Sequence, residues 1–192
     1  LLDISITNYC EKGCSFCYRN SSTNGKHMSL DDYKSILEQL GETYTYQIAI
    51  GGGNPNQHPD FVNFLRITKE VYGIVPSYTT NGMGLSEKII EASKRYCGAV
   101  AVSYYEPIEE FVDAIKKLVQ AGIKTNVHYL LTSESIDKAI KLLDDPPKFL
   151  DGINAIVFLN YKPVGDQSDN KLLVKNSCKV EEFFTKVKMH DL

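Results

Sequence analysis

The sequence predicts an α/β protein built around a parallel sheet. Short β-rich runs alternate with amphipathic helical runs six times along 192 residues, and the connections between them are short. Neighbouring parallel strands need a crossover, which is usually a helix, so this alternation indicates six strand–helix units. With 43% hydrophobic and 23% charged residues, the chain can bury one substantial core.

The first two units are predicted from periodicity and capping residues. Residues 1–7 alternate apolar and polar side chains, which is the period of a strand. Ser29 then predicts the start of a helix that ends at Gly41. A second strand over residues 45–50 runs into three glycines, and Pro59 begins a second helix.

The remaining units follow the same pattern. The strands are predicted over residues 74–79, 99–103, 123–131 and 153–159. The helices between them are predicted around Ile89, over residues 108–119, and over residues 136–143 before two prolines. Residues 166–192 are a polar stretch and a short helix over 180–187, so we expect a core domain over 1–165 and an extension over 166–192.

Charge and hydropathy exclude some classes of protein. The net charge is −3 and no long run of like charge occurs, which argues against a basic surface for nucleic acid. The longest apolar run is residues 155–159, too short to span a membrane. No secretion leader opens the chain and its first residue is Leu1, so we expect a fragment of a longer, cytoplasmic protein.

Three of the five cysteines lie within eight residues. The pattern is CxxxCxxC, formed by Cys10, Cys14 and Cys17. It does not suggest a disulfide framework, but it suits an iron–sulfur cluster. A closed site needs four ligands, whereas three leave one iron with an open position, as a catalytic metal requires. Cys97 is expected at the start of the fourth strand, next to Gly98, and is predicted to be a buried free thiol. The alternative is a zinc site completed by a distant ligand such as His27.

The cysteine loop resembles the signature of the radical S-adenosylmethionine (SAM) superfamily, CxxxCx-aromatic-C, with Phe16 in the aromatic place. The resemblance covers residues 2–165 and implies a partial (β/α)6 barrel. It also implies a [4Fe–4S] cluster on Cys10, Cys14 and Cys17, with SAM bound to the fourth iron. One electron, from a donor such as flavodoxin or ferredoxin, cleaves SAM to a 5′-deoxyadenosyl radical that abstracts hydrogen from a substrate.

Further segments resemble SAM-binding segments of the same superfamily. Gly52, Gly53 and Asn54 occupy the place of its GGEP segment, but Asn54 replaces the usual Glu. An amide can accept a hydrogen bond from the SAM amino group, although more weakly than a carboxylate. Thr79 begins a segment that resembles the TNG segment after the third strand, and Ser103 matches a serine that often contacts SAM.

The fifth strand carries three polar residues on one face. Lys124, Asn126 and His128 alternate with apolar residues, so their side needs a polar cavity or a ligand. Lys124 and Asn126 resemble a segment of the molybdenum-cofactor cyclase branch that faces SAM. His128 is the candidate catalytic residue, for substrate contact or proton transfer. Tyr104 or Tyr105 could line the substrate pocket.

The sequence therefore predicts a radical SAM enzyme of unknown substrate. A peptide and a small molecule are both open as substrates, and the general resemblance favours a peptide. One alternative is a zinc-stabilised binding module that uses the same cysteines. Another is a cluster-bearing scaffold that has lost catalysis, for which Asn54 would be the mark.

Overall fold

In the computed structural model, which describes residues 1–40, 43–166 and 168–189, six parallel strands lie in sequential order. The strands are β1 (Leu2–Thr7), β2 (Gln47–Gly52), β3 (Val75–Thr80), β4 (Ala99–Ser103), β5 (Thr125–Leu131) and β6 (Ala155–Asn160). Within the described residues, β1 pairs with β2 alone and β6 with β5 alone. The sheet is open, and the predicted α/β partial barrel is confirmed.

Helices connect the strands in the predicted alternation. They are α1 (Leu30–Gln39), α2 (Phe61–Arg66), α3 (Glu87–Tyr96), α4 (Ile108–Gln120), α5 (Ile136–Asp144) and α6 (Ser177–Met189). Ser29 caps α1 as predicted, accepting a hydrogen bond from the Asp32 N–H. The expected end of α1 at Gly41 lies outside the described residues. A π-helical turn over Ile67–Val71 extends α2.

The helices cover one face of the sheet. Sequential strand order with crossovers of a single hand places every helix on the same side. The strand residues that point to this side form the core, including Ile6, Ile50, Val100 and Val127, none of which is more than 1% exposed. Tyr78 of β3 reaches Ser93 of α3, and their hydroxyl oxygens lie 2.8 Å apart.

The opposite face of the sheet is the lumen of the partial barrel. Because side chains alternate along a strand, each strand turns three residues toward this side. We call the following set the lumen face: residues 3, 5 and 7 of β1, 47, 49 and 51 of β2, 75, 77 and 79 of β3, 99, 101 and 103 of β4, 126, 128 and 130 of β5, and 155, 157 and 159 of β6. The lumen face has one acidic residue, Asp3, and no lysine or arginine.

The C-terminal helix packs against the last strand–helix unit. Phe183 of α6 is buried and its ring lies 4.9 Å from that of Phe158 in β6. Lys179 and Lys186 form ion pairs with acidic residues of α5. The helix is longer than the predicted 180–187. Among the described helices, none combines the length and the apolar character needed to cross a bilayer.

Candidate cluster and SAM site

The loop between β1 and α1 carries the three clustered cysteines. Backbone hydrogen bonds fold it back on itself: Asn8 N–H donates to the Lys26 carbonyl at 2.8 Å, and Cys10 N–H donates to the Ser22 carbonyl at 3.1 Å. Gly25 permits this fold, since a Cβ there would lie 2.0 Å from the Asn8 oxygen. The loop is therefore fixed by its own main chain at the carboxyl end of β1.

The three thiols share one region and form no disulfide. Burial raises the pKa of Cys14, the neighbouring Cys10 and Cys17 raise it further, and the Lys12 ammonium lowers it. Among the described residues, no three His, Cys, Asp or Glu side chains are arranged to hold one metal ion. Cysteine thiolates are the usual ligands of iron–sulfur clusters, so the chemistry of this donor set fits a [4Fe–4S] cluster.

Asn81 contacts the first of these cysteines. Its side-chain amide donates to Cys10 Sγ at 3.4 Å, and its amide oxygen accepts from the Met83 N–H at 3.0 Å. Hydrogen bonds to the sulfur ligands are one of the means by which proteins tune a cluster. The signal for this contact in the sequence is the TNG-like segment, in which Thr79, and not Asn81, is the predicted site residue.

The glycine loop after β2 lies directly against the cysteine loop. Gly53 N–H donates to the Thr7 carbonyl at 2.8 Å, and Asn54 N–H donates to the Tyr9 carbonyl at 2.9 Å. A Cβ at Gly52 would lie 2.0 Å from the Thr7 oxygen, and one at Gly53 would lie 2.1 Å from the Tyr9 oxygen. These glycines therefore allow two backbone segments to approach; their contact with SAM stays a prediction.

The Asn54 side chain is fully buried. Its oxygen accepts hydrogen bonds from the Thr80 hydroxyl at 3.0 Å and from the Asn81 N–H at 3.2 Å, and its amide donates to the Met83 carbonyl at 3.1 Å. Asn54 thereby joins the ends of β2 and β3. A neutral amide suits this position because it both accepts and donates, which a carboxylate cannot do.

Replacing Asn54 by Asp is expected to lower the free energy of unfolding by about 2 kcal/mol, the typical cost of an unsatisfied buried group. The variant has the same shape, but a carboxylate oxygen would face the Met83 carbonyl without a proton between them. Urea denaturation measures the change. Asn24→Asp, at an exposed position, is the control and should change stability by less than about 0.5 kcal/mol. Equal stabilities of the two variants would contradict this role for Asn54.

The structure brings four of the predicted site residues onto the lumen face. Thr79 and Asn126 both lie beside Ala101, and Ser103 lies beside His128. The Asn126 oxygen accepts a hydrogen bond from the Asn154 amide at 2.8 Å. Burial lowers the pKa of His128, so its imidazole is held in the neutral form, which can exchange a proton. The shared face predicted for Asn126 and His128 is present.

Lys124 does not join this group. It is exposed and precedes β5, which begins at Thr125. It lies four residues before His128, or about 13 Å along an extended chain. The cysteine loop lies at the other, carboxyl end of the sheet, so the predicted contact of Lys124 with SAM is not supported. The alternation of polar and apolar residues indicates which face of the sheet a side chain is on. It does not indicate how far along the strand the residue lies.

An aromatic residue of the cysteine loop packs against one that follows β4. The ring of Phe16 is 5.3 Å from that of Tyr105, which follows β4. Burial raises the pKa of Tyr105 to about 12, the Ser103 hydroxyl partly offsets this, and the nearby Cys14 and Cys17 add to the rise. Of the two tyrosines considered from sequence, Tyr105 is thus the one beside the thiols. Phe16 as a cofactor contact stays a prediction.

The zinc alternative required a distant ligand such as His27. The Nδ1 atom of His27 lies 2.8 Å from the Thr7 hydroxyl, and its ring packs on that of His58 at 4.8 Å. His58 in turn bonds the Met28 carbonyl through Nε2 and accepts the Asp60 N–H at Nδ1. In the described chain these histidines serve loop packing, and His27 is not grouped with the thiols into a metal site.

An open parallel (β/α)6 barrel with three neighbouring thiols after its first strand defines the class of enzyme core that holds an iron–sulfur cluster at the mouth of the barrel. The sequence model of the Radical SAM superfamily matches residues 4–106. The chain belongs to this superfamily, whose members use a [4Fe–4S] cluster and SAM.

Similar proteins agree with this membership. A probable GTP 3′,8-cyclase of Sulfurisphaera tokodaii is 21% identical over 179 residues, which are 85% of this chain and 56% of that protein. A PqqA peptide cyclase of Bradyrhizobium diazoefficiens is 24% identical over 115 residues, 58% of this chain and 30% of that protein. The chain thus spans about half or less of the length of these relatives.

Solved structures show the same fold. Streptococcus suis SuiB bound to S-adenosylmethionine superposes with a TM-score of 0.76 at 21% identity, over 97% of this chain and 46% of that chain. Native anSMEcpe with bound AdoMet superposes with a TM-score of 0.75 at 14% identity, over 98% of this chain and 60% of that chain. At this level of identity the superpositions establish the architecture alone.

Proposed function

We propose that this chain is the catalytic core of a radical SAM enzyme in which Cys10, Cys14 and Cys17 hold the [4Fe–4S] cluster. The observation that carries the proposal is the grouping of the three thiols in a loop fixed by its backbone at the carboxyl end of the sheet. Ligands of parallel α/β folds bind at that end. When bound, the cluster and SAM supply a 5′-deoxyadenosyl radical that abstracts a hydrogen atom.

The chain's own residues position these groups. Phe16 lies in the cysteine loop, and Gly52 and Gly53 lie in the glycine loop packed against it, where SAM would lie. The buried Asn54 joins that loop to the end of β3, and its contact with SAM stays a prediction. Thr79, Ser103 and Asn126 extend from there along the lumen face. His128, level with Ser103, is half-buried and neutral, which suits contact with a substrate or transfer of a proton.

The lumen face favours an uncharged substrate group. The curated relatives include GTP cyclases, and a triphosphate needs lysine or arginine partners. The lumen face has neither. It becomes apolar where the end of β5 pairs with β6, through Leu130, Val157 and Leu159. SuiB has also been crystallised with its precursor peptide SuiA. We therefore favour a peptide substrate with a neutral side chain at the reacting position, over a nucleotide.

Anaerobic reconstitution with iron and sulfide, followed by dithionite and SAM, tests the activity. We expect 5′-deoxyadenosine and methionine to form, as measured by liquid chromatography. A cluster without SAM cleavage would favour the scaffold alternative, and a chain that binds zinc but no cluster would favour the binding module. Both outcomes contradict the proposal. Added GTP should not increase 5′-deoxyadenosine formation.

The wider context of the protein is proposed on the same basis. An electron donor such as flavodoxin or ferredoxin would reduce the cluster. Because the protein would need such a donor, we propose a cytoplasmic location. Residues 1–165 would form the radical SAM core and residues 166–192 a C-terminal extension. Helix α6, which belongs to the proposed extension, packs on α5 and β6.

A further inference from the structure

Lys12 lies inside the cysteine loop, between Cys10 and Cys14, and its side chain is only 9% exposed. A lysine loses most of its hydration at such a position, so its charge needs a partner. The partner is Glu110 of α4, whose carboxylate oxygen lies 3.0 Å from the Lys12 ammonium. Neither residue was singled out from the sequence.

The surroundings fix this ion pair relative to the thiols. Glu110 lies in the first turn of α4, and Gly82 packs so closely there that a Cβ would lie 2.9 Å from the Glu110 carbonyl oxygen. Gly82 follows Asn81, which donates to Cys10 Sγ. The cysteine loop, the segment after β3 and the start of α4 are therefore held together around Lys12.

At the thiols, the negative charge of Glu110 does not cancel the positive charge of Lys12. Glu110 is 39% exposed, so water screens its charge, whereas the Lys12 charge is largely shielded from water. Lys12 is two residues from Cys10 and two from Cys14, whereas Glu110 lies on α4, outside the cysteine loop. The thiols therefore experience a net positive field from the direction of Lys12.

We infer that Lys12 is a positioning and electrostatic residue that raises the reduction potential of the cluster held by Cys10, Cys14 and Cys17, an inference that rests on the proposed function. Reduction transfers one electron from a reduced electron-transfer protein or from dithionite to [4Fe–4S]2+ and yields [4Fe–4S]1+, with no bond broken. The added negative charge is stabilised by a buried cation. Lys12 would thus make the cluster easier to reduce.

The test compares reconstituted wild-type protein with Lys12→Met and Lys12→Arg. Iron and sulfide content measures cluster loading, and a redox titration followed by electron paramagnetic resonance measures the midpoint potential. We expect Lys12→Met to retain the cluster with a midpoint potential shifted to more negative values, and Lys12→Arg to stay near the wild-type value. Lys12→Gln serves as a second neutral variant if Lys12→Met does not fold, as judged by circular dichroism.

Lys117→Met is the matched control. It also removes one positive charge that is paired with an acidic residue, but the Lys117 side chain is 47% exposed, on the same helix as Glu110. Its midpoint potential should equal that of the wild type. The inference is overturned if the neutral Lys12 variants keep the wild-type potential, lose the cluster altogether, or shift no more than Lys117→Met. Wild-type protein that takes up no iron would instead refute the proposed function.

Discussion

Replacing Cys10, Cys14 or Cys17 by alanine is expected to abolish the iron–sulfur cluster. Each thiolate would bind a different iron, and the loop has no further cysteine that could take the place of a missing one. Iron and acid-labile sulfide per chain, together with the visible absorbance of the reconstituted protein, measure the loss. Each variant should also lose reductive cleavage of SAM. The fold should persist, since the backbone hydrogen bonds of the loop involve no thiol.

Cys97→Ala is the control for these variants. Burial raises the pKa of Cys97 to about 12, so its thiol stays protonated and is a poor metal ligand. The residue lies at the end of α3, before β4, remote from the carboxyl end of the sheet. Its variant should keep full iron content. The ligand assignment would be wrong if Cys97→Ala lost the cluster while Cys14→Ala kept it.

Gly53→Ala is expected to displace the cysteine loop from the end of β2. The new Cβ would lie 2.1 Å from the Tyr9 carbonyl oxygen and 2.7 Å from its carbon, both backbone atoms that cannot turn away. We expect a loss of about 1–3 kcal/mol in the free energy of unfolding, as for other overpacked sites. Iron incorporation should fall sharply, because Tyr9 immediately precedes Cys10, a proposed ligand of the cluster. Denaturant unfolding and iron content are the measurements.

The neighbouring Gly51→Ala provides a sharp comparison. A Cβ at Gly51 meets nothing closer than the Asp3 carboxylate oxygen, at 3.9 Å. This variant adds the same methyl group to the same segment and should retain both stability and iron content. If the two alanine variants behaved alike, the close approach of the glycine loop to the cysteine loop would not be what Gly53 provides.

Much of the fold is readable from the sequence, because alternation and capping act locally. The six strands and their helices appear where periodicity places them, with shifts of one or two residues at many of their ends. Cys97 is one such shift: it was assigned to a strand but lies at the end of α3. Whether the sheet closes depends on pairing between its first and last strands, a long-range contact on which local patterns carry no information.

The site was less predictable for the same reason. The cysteine spacing predicts the cluster ligands without any knowledge of the fold. By contrast, the hydrogen bonds of Asn54 to Thr80 and Asn81, and the pairing of Lys12 with Glu110, join segments tens of residues apart. The distance of Lys124 from the carboxyl end of β5 depends on where that strand begins and ends. Period-two alternation does not determine these bounds.

The folding of the cysteine loop by its main chain also bears on how the holoprotein assembles. In zinc fingers the metal supplies the folding free energy, so the apoprotein is a random coil and metal loss is denaturation. Here main-chain hydrogen bonds between Asn8 and Lys26 and between Asn54 and Tyr9 fold the loop, and neither of them involves a thiol. Little chain entropy remains to be lost on metallation. Oxidative destruction of the cluster would then leave a folded apoprotein that can take up a new cluster, rather than an unfolded chain that proteases degrade.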